Sequence, residues 1–178
     1  MSDALDPAIS RMLADLSDRL ATIEGAQVEG ELVEAERSAI GIADRLVSSV
    51  GHPLQLSLAS GERVQGLLAD VSATWVRLDI GAHRDIFVAI AAIASYKGLG
   101  RASRAHREVD MRRGWGHILR RCGAQGARVT MSSGHQEVGG RVVGVGKDYV
   151  DVRLDDDAIA TFVLYLIERV YVTGLAAD

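Results

Sequence analysis

Four arginines set around one tryptophan are the residues of this chain best suited to chemistry. Arg112, Arg113, Arg120 and Arg121 flank Trp115. Guanidinium groups neutralise phosphates and an indole stacks on a base, so the segment is a candidate nucleic-acid contact. The competing explanation is that helical arginines lie in solvent or pair with acids, and acids at 15–36 of the same chain are available. Charge is segregated in a way that fits both. Residues 1–50 carry ten acids against four arginines, and residues 101–128 carry eight arginines against Glu108 and Asp110. The net charge of −4 therefore conceals one basic stretch, and such asymmetry speaks to partners rather than to fold.

Other chemistries find little support. Gly144-Val145-Gly146-Lys147-Asp148 contains a Gly-Lys pair, but Asp148 stands where a phosphate loop needs Ser or Thr, and Arg141 replaces its first glycine. It is read as a strand turn. His52, His83, His106, His117 and His135 form no His-x3-His pair, and the single Cys122 cannot anchor a thiolate metal site. Asp155-Asp156-Asp157 is read as a charged turn, because calcium requires six or more oxygens in a shaped loop. No Gly-x-Ser-x-Gly or Ser-x-x-Lys occurs. The expectation is a protein that is not an enzyme and carries no metal or cofactor.

The elements that position these groups change character near Pro53. Before it the apolar spacing is helical: Ile9, Leu13, Leu16, Leu20 and Ile23 make one seam, ended by Gly25. A second helix is predicted from Glu31 to Val50, so residues 1–50 form a helical hairpin whose seam needs a cover. After Pro53 the period becomes two. Leu54, Leu56 and Leu58 alternate with polar residues, and turns at Gly61, Ser72–Thr74 and Gly81–His83 divide five short strands, the last near Ser95 to Leu99. Gly66, in mid-strand, predicts a bend or bulge.

The same unit recurs roughly 74 residues later. Leu58-Ala59-Ser60-Gly61, Val64, Gly66, Leu68, Val71 and Trp75-Val76 are answered by Met131-Ser132-Ser133-Gly134, Val138, Gly140, Val142, Val145 and Tyr149-Val150. Trp75 and Tyr149 fall at matching turns and are assigned to packing at the rim. A helix over 107–122 is predicted to lead into this copy, weakened by Gly114 and Gly116. In its fourth strand the run Phe162 to Ile167 is apolar on both faces and needs a cover. Leu13, Leu16, Leu20, Phe162, Leu164 and Leu166 are therefore the candidate interface residues. Each copied unit is expected to close on itself; one continuous sheet through both would run against that.

A helix followed by a bent five-strand unit, twice, resembles the Sm and Sm-like family, including the bacterial Hfq type. The resemblance rests on Leu58-x-x-Gly61-x-x-Val64-x-Gly66-x-Leu68-x-x-Val71, with Lys97-Gly98 similar to the end of the family's second motif. It implies small SH3-like barrels that join neighbours by pairing a fourth strand with the next unit's fifth. The family's base-reading asparagine is replaced by Val76, and by Val150 in the second copy, and valine has no amide to read a base edge. The expected fold is mainly β with α: a hairpin over 1–50, Sm-like barrels over 51–100 and 126–175, and a basic connector helix over 101–125. The expected function is a non-catalytic binding or assembly protein, with RNA or DNA as candidate partners through the connector. The alternative is a protein-interaction scaffold with no nucleic-acid ligand. An oligomer is expected, with no membrane association; the lone cysteine and the absence of a long apolar run fit the cytoplasm.

Overall fold

The computed structural model describes residues 41–100 and 113–175, and all of its elements belong to the unit spanning 42–178. The helical seam through Leu13, Leu16 and Leu20 and the predicted hairpin lie outside the described residues, except for one helix, α1 (Ile42–Ser48). It is followed by β1 (Pro53–Leu58), β2 (Arg63–Val71), β3 (Trp75–Asp79), β4 (Arg84–Ala89) and β5 (Ile93–Lys97). Then come α2 (Trp115–Ala124), β6 (Arg128–Ser133), β7 (Gln136–Val145), β8 (Tyr149–Arg153), β9 (Ile159–Val163) and β10 (Arg169–Thr173). Among the described residues no helix is long and apolar enough to cross a membrane.

The ten strands form one antiparallel sheet in the order β5-β1-β2-β3-β4-β10-β6-β7-β8-β9. Its two halves repeat one arrangement, with the fifth strand beside the first and the fourth at the far side. Each half keeps its own apolar core. Alternation in β1 turns Leu54, Leu56 and Leu58 inward, where they meet Leu46 of α1, Leu68, Leu78 and Val88. The second core gathers Val129, Met131, Val150, Val152 and Val170 beneath Trp115, Ile118, Leu119 and Cys122 of α2. Those four α2 residues follow at helical spacing and form one apolar stripe. The predicted helix over 107–122 does not run through Gly114: Arg113 and Gly114 are not helical, Gly114 is extended and caps the first turn, and the helix spans Trp115–Ala124.

The two halves do not close separately. β4 pairs with β10 from Arg84↔Thr173 to Val88↔Arg169, which makes the sheet continuous, and it remains open at β5 and β9. Both faces of β4 are apolar and buried: Val88 faces the first core and Phe87 the second. A strand of that kind is stable only with neighbours on every side. The predicted fourth strand of the second copy is also shorter than its apolar run. Pairing ends at Val163, and Leu164–Leu166 form a 3-10 turn, as Ile90–Ala92 do in the first half. The last strand of the first half begins at Ile93, two residues earlier than predicted.

The two repeated mid-strand glycines also act differently from the prediction. The register slips after Leu68, at Ala69, and after Val142, at Val143, so the bulge lies three residues beyond each glycine. Gly66 and Gly140 instead permit close approach. A methyl group on Gly66 would stand 2.6 Å from the Asp79 carbonyl oxygen, and one on Gly140 would overlap the carbonyl oxygen of Arg153.

Candidate functional site

The structure separates the members of the predicted arginine cluster. Arg112 lies outside the described residues. Arg113 precedes α2 and turns toward the first half, where its guanidinium lies 3.1 Å from the Asp70 carboxylate and 6.0 Å from the centre of the Trp75 ring. Trp115 does not stand between arginines ready to stack on a base: it is buried in the second core. Arg120 is exposed on α2, and Arg121 is half-buried. Arg121 and Arg77 both act on Asp85, whose carboxyl is raised above its ordinary range chiefly by burial, with Arg77 opposing that rise. Neutralisation inside the chain thus involves Asp70 and Asp85 of the first half. The acids at 15–36 lie outside the described residues. Val76 and Val150, at the position of the base-reading asparagine, are both fully buried core residues.

Trp75 is held by its turn. The Ser72 hydroxyl accepts from the backbone N–H groups of Thr74 and Trp75, both at 3.1 Å, and so fixes the β2–β3 corner. The ring then leaves its own half: it meets Phe87 edge-on at 5.2 Å and joins the core beneath α2. Tyr149 occupies the matching turn of the second half and is exposed instead.

A polar clamp reinforces the β4–β10 joint. Arg169 of β10 reaches Glu62 in the first half at 2.6 Å and Glu137 in the second at 2.7 Å. Tyr171 also donates to Glu62, at 3.1 Å. Burial, followed by Glu62, raises the Tyr171 phenol above its ordinary pKa. These residues are scattered along the sequence, and no local motif marks them.

Two other groupings bring opposite charges together. A hollow of about 420 Å³ beside the β3–β4 turn is lined by Arg77, Asp79, His83, Arg84, Asp85 and Leu175. Its charges face one another, with Arg77 3.8 Å from Asp85, and Asp79 accepts from the Gly81 N–H at 2.7 Å. Asp155 takes a bidentate bond from Arg128 at 2.8 and 2.6 Å, which lowers its pKa below the ordinary carboxylate range. Among the described residues no three His, Cys, Asp or Glu side chains converge to hold a metal. Burial pushes the Cys122 thiol up to about 11. At pH 8 only about one thiol in a thousand is then ionised. A thiol reagent is expected to leave the native protein unlabelled and to label it on unfolding; rapid native labelling would show that α2 is not packed as described.

Five of the eight large apolar side chains exposed among the described residues gather at one edge. Ile159 and Val163 of β9, Tyr165 and Leu166 of the following turn, and Tyr149 of β8 are all open to solvent. Val163 and Tyr149 are directly paired across the strands. Of the predicted interface residues, Leu166 belongs to this surface, Leu164 is half-buried against the second core, and Phe162 points into that core. No family model matches the sequence, and no curated protein matches it.

Proposed function

We propose that the chain is a non-catalytic assembly scaffold: two Sm-like five-strand units joined edge to edge, with the apolar β9 edge as the docking surface. The observation that carries this is the asymmetry between equivalent strands. β4 is covered on its outer side by β10, whereas β9, the fourth strand of the other half, is apolar and pairs with no further strand among the described residues. Exposed apolar edge strands invite pairing and are normally blunted by charge, proline or a covering element. Between Ile159 and Leu166 there is no charged residue and no proline.

The same geometry disfavours nucleic-acid contact through two of the connector's candidate residues, because Trp115 is buried and Arg113 is engaged with Asp70 and Trp75. Titration of mixed-sequence RNA and DNA across a salt series tests this. The expected result is at most weak binding that Arg120→Ala and Arg121→Ala leave unchanged. Binding that weakens steeply with salt and is lost in those variants would replace the scaffold reading with a nucleic-acid one.

A further inference from the structure

We infer that the hollow beside the β3–β4 turn is a binding site for a free α-amino acid. Its carboxylate would meet Arg77 and Arg84, and its ammonium would meet Asp79 and Asp85. The hollow belongs to the first half, whereas the β9 edge belongs to the second, so the site is additional to the scaffold reading. Its volume of about 420 Å³ suits a small ligand. Small-molecule sites span roughly 300–1,000 Å³.

The charges that line the hollow do not satisfy one another. Arg77 and Asp85 approach only to 3.8 Å, too far for a hydrogen bond. The Arg77 Nε is buried with no hydrogen-bond partner among the described residues. Native structures rarely leave such a group without a water, an ion or a ligand. Asp79 and Asp85 lie directly opposite each other across β3 and β4, and like charges so placed destabilise a strand pair. An ammonium set against both carboxylates relieves that repulsion, which a neutral ligand would not. A carboxylate set against Arg77 and Arg84 gives their guanidinium groups acceptors. A simple anion would meet the two carboxylates, and a simple cation the two guanidinium groups. A zwitterion suits both.

The second half shows that the folding unit does not require this arrangement. Val76 pairs with Val88 and Val150 with Phe162, so Arg77, Asp79 and Asp85 correspond to Asp151, Arg153 and Ile159. Asp151 accepts from the Thr161 hydroxyl at 2.7 Å, whereas Arg77 lies opposite Phe87, which has no polar atom. Ala69, at the bulge in the wall of the hollow, is replaced in the second half by the larger Val143. The rim is also specialised. Ala82 and His83 both take φ of 55°, a hairpin-turn conformation usually given to Asn-Gly. The Gly174 N–H donates to the His83 carbonyl at 3.3 Å, which ties this rim to the end of β10.

The test titrates the isotope-labelled full chain with the common L-amino acids, one at a time at millimolar concentration, and follows its amide resonances. At least one amino acid is expected to give saturable shifts at Gly81, His83 and Arg84. The matching acid without its amine, and the matching amine without its carboxylate, should each bind about tenfold more weakly or worse, as loss of a charged hydrogen-bonded partner implies. Arg84→Gln and Asp79→Asn, both at exposed positions, should weaken binding by a similar factor while the circular dichroism spectrum stays the same. No saturable shift at these amides with any amino acid overturns the site. Equal binding of the bare acid or the bare amine overturns it too, since the hollow would then take a simple anion or a simple cation. So does binding that both variants leave untouched, which would place the ligand elsewhere.

Discussion

Replacement of Trp75 by alanine is expected to cost about 4 kcal/mol of stability, in the range for removing a large aromatic from a packed core. The informative part is where the loss appears. Trp75 belongs to a first-half strand, yet its ring lies with Phe87, Trp115 and Ile118 in the second core. Hydrogen exchange of the variant should therefore accelerate in β6 and β8, around Val129 and Val150, as well as in β3. Its indole N–H has no hydrogen-bond partner among the described residues, so the ring's contribution is packing together with the Arg113 contact. Trp75→Phe should retain most of the stability and gives a folded comparison if the alanine variant does not fold. Acceleration confined to β3 and its first-half neighbours would show that the two cores are energetically separate.

Gly140→Ala is expected to destabilise by about 3 kcal/mol, at the upper end of the cost of overfilling a packed site. The added methyl would meet the Arg153 carbonyl oxygen and lie 2.7 Å from a Val152 methyl, and the carbonyl is backbone that cannot swing aside. Gly139, one residue earlier, supplies the control. A methyl there would find nothing closer than the Arg128 guanidinium at 3.6 Å, an ordinary contact. Gly139→Ala should then leave the urea midpoint nearly unchanged while Gly140→Ala lowers it. Equal midpoints for the two variants would mean that β7 and β8 are farther apart than described.

Much of the strand arrangement was legible because period-two alternation is a local signal. Leu54, Leu56 and Leu58 announced β1, and their counterparts Val129 and Met131 announced β6. The glycines at 66 and 140 were recognisable as special positions, but their role was not, since a bulge and a close approach both call for a residue without a side chain. The arginine cluster misled for a related reason. A guanidinium beside an indole has the same composition whether it meets a phosphate or, as Arg113 does, the Asp70 carboxylate 43 residues away.

The sequence by itself determined the copied five-strand unit, its turns and the apolar excess at 162–167, because these depend on residues close together in the chain. Only the tertiary structure decided that β4 takes β10 as its neighbour, that Trp75 is covered while Tyr149 is not, and that Arg169 bridges Glu62 and Glu137. Those outcomes turn on which strand edge meets which. Backbone hydrogen bonding leaves that choice open, and packing between residues far apart in sequence settles it.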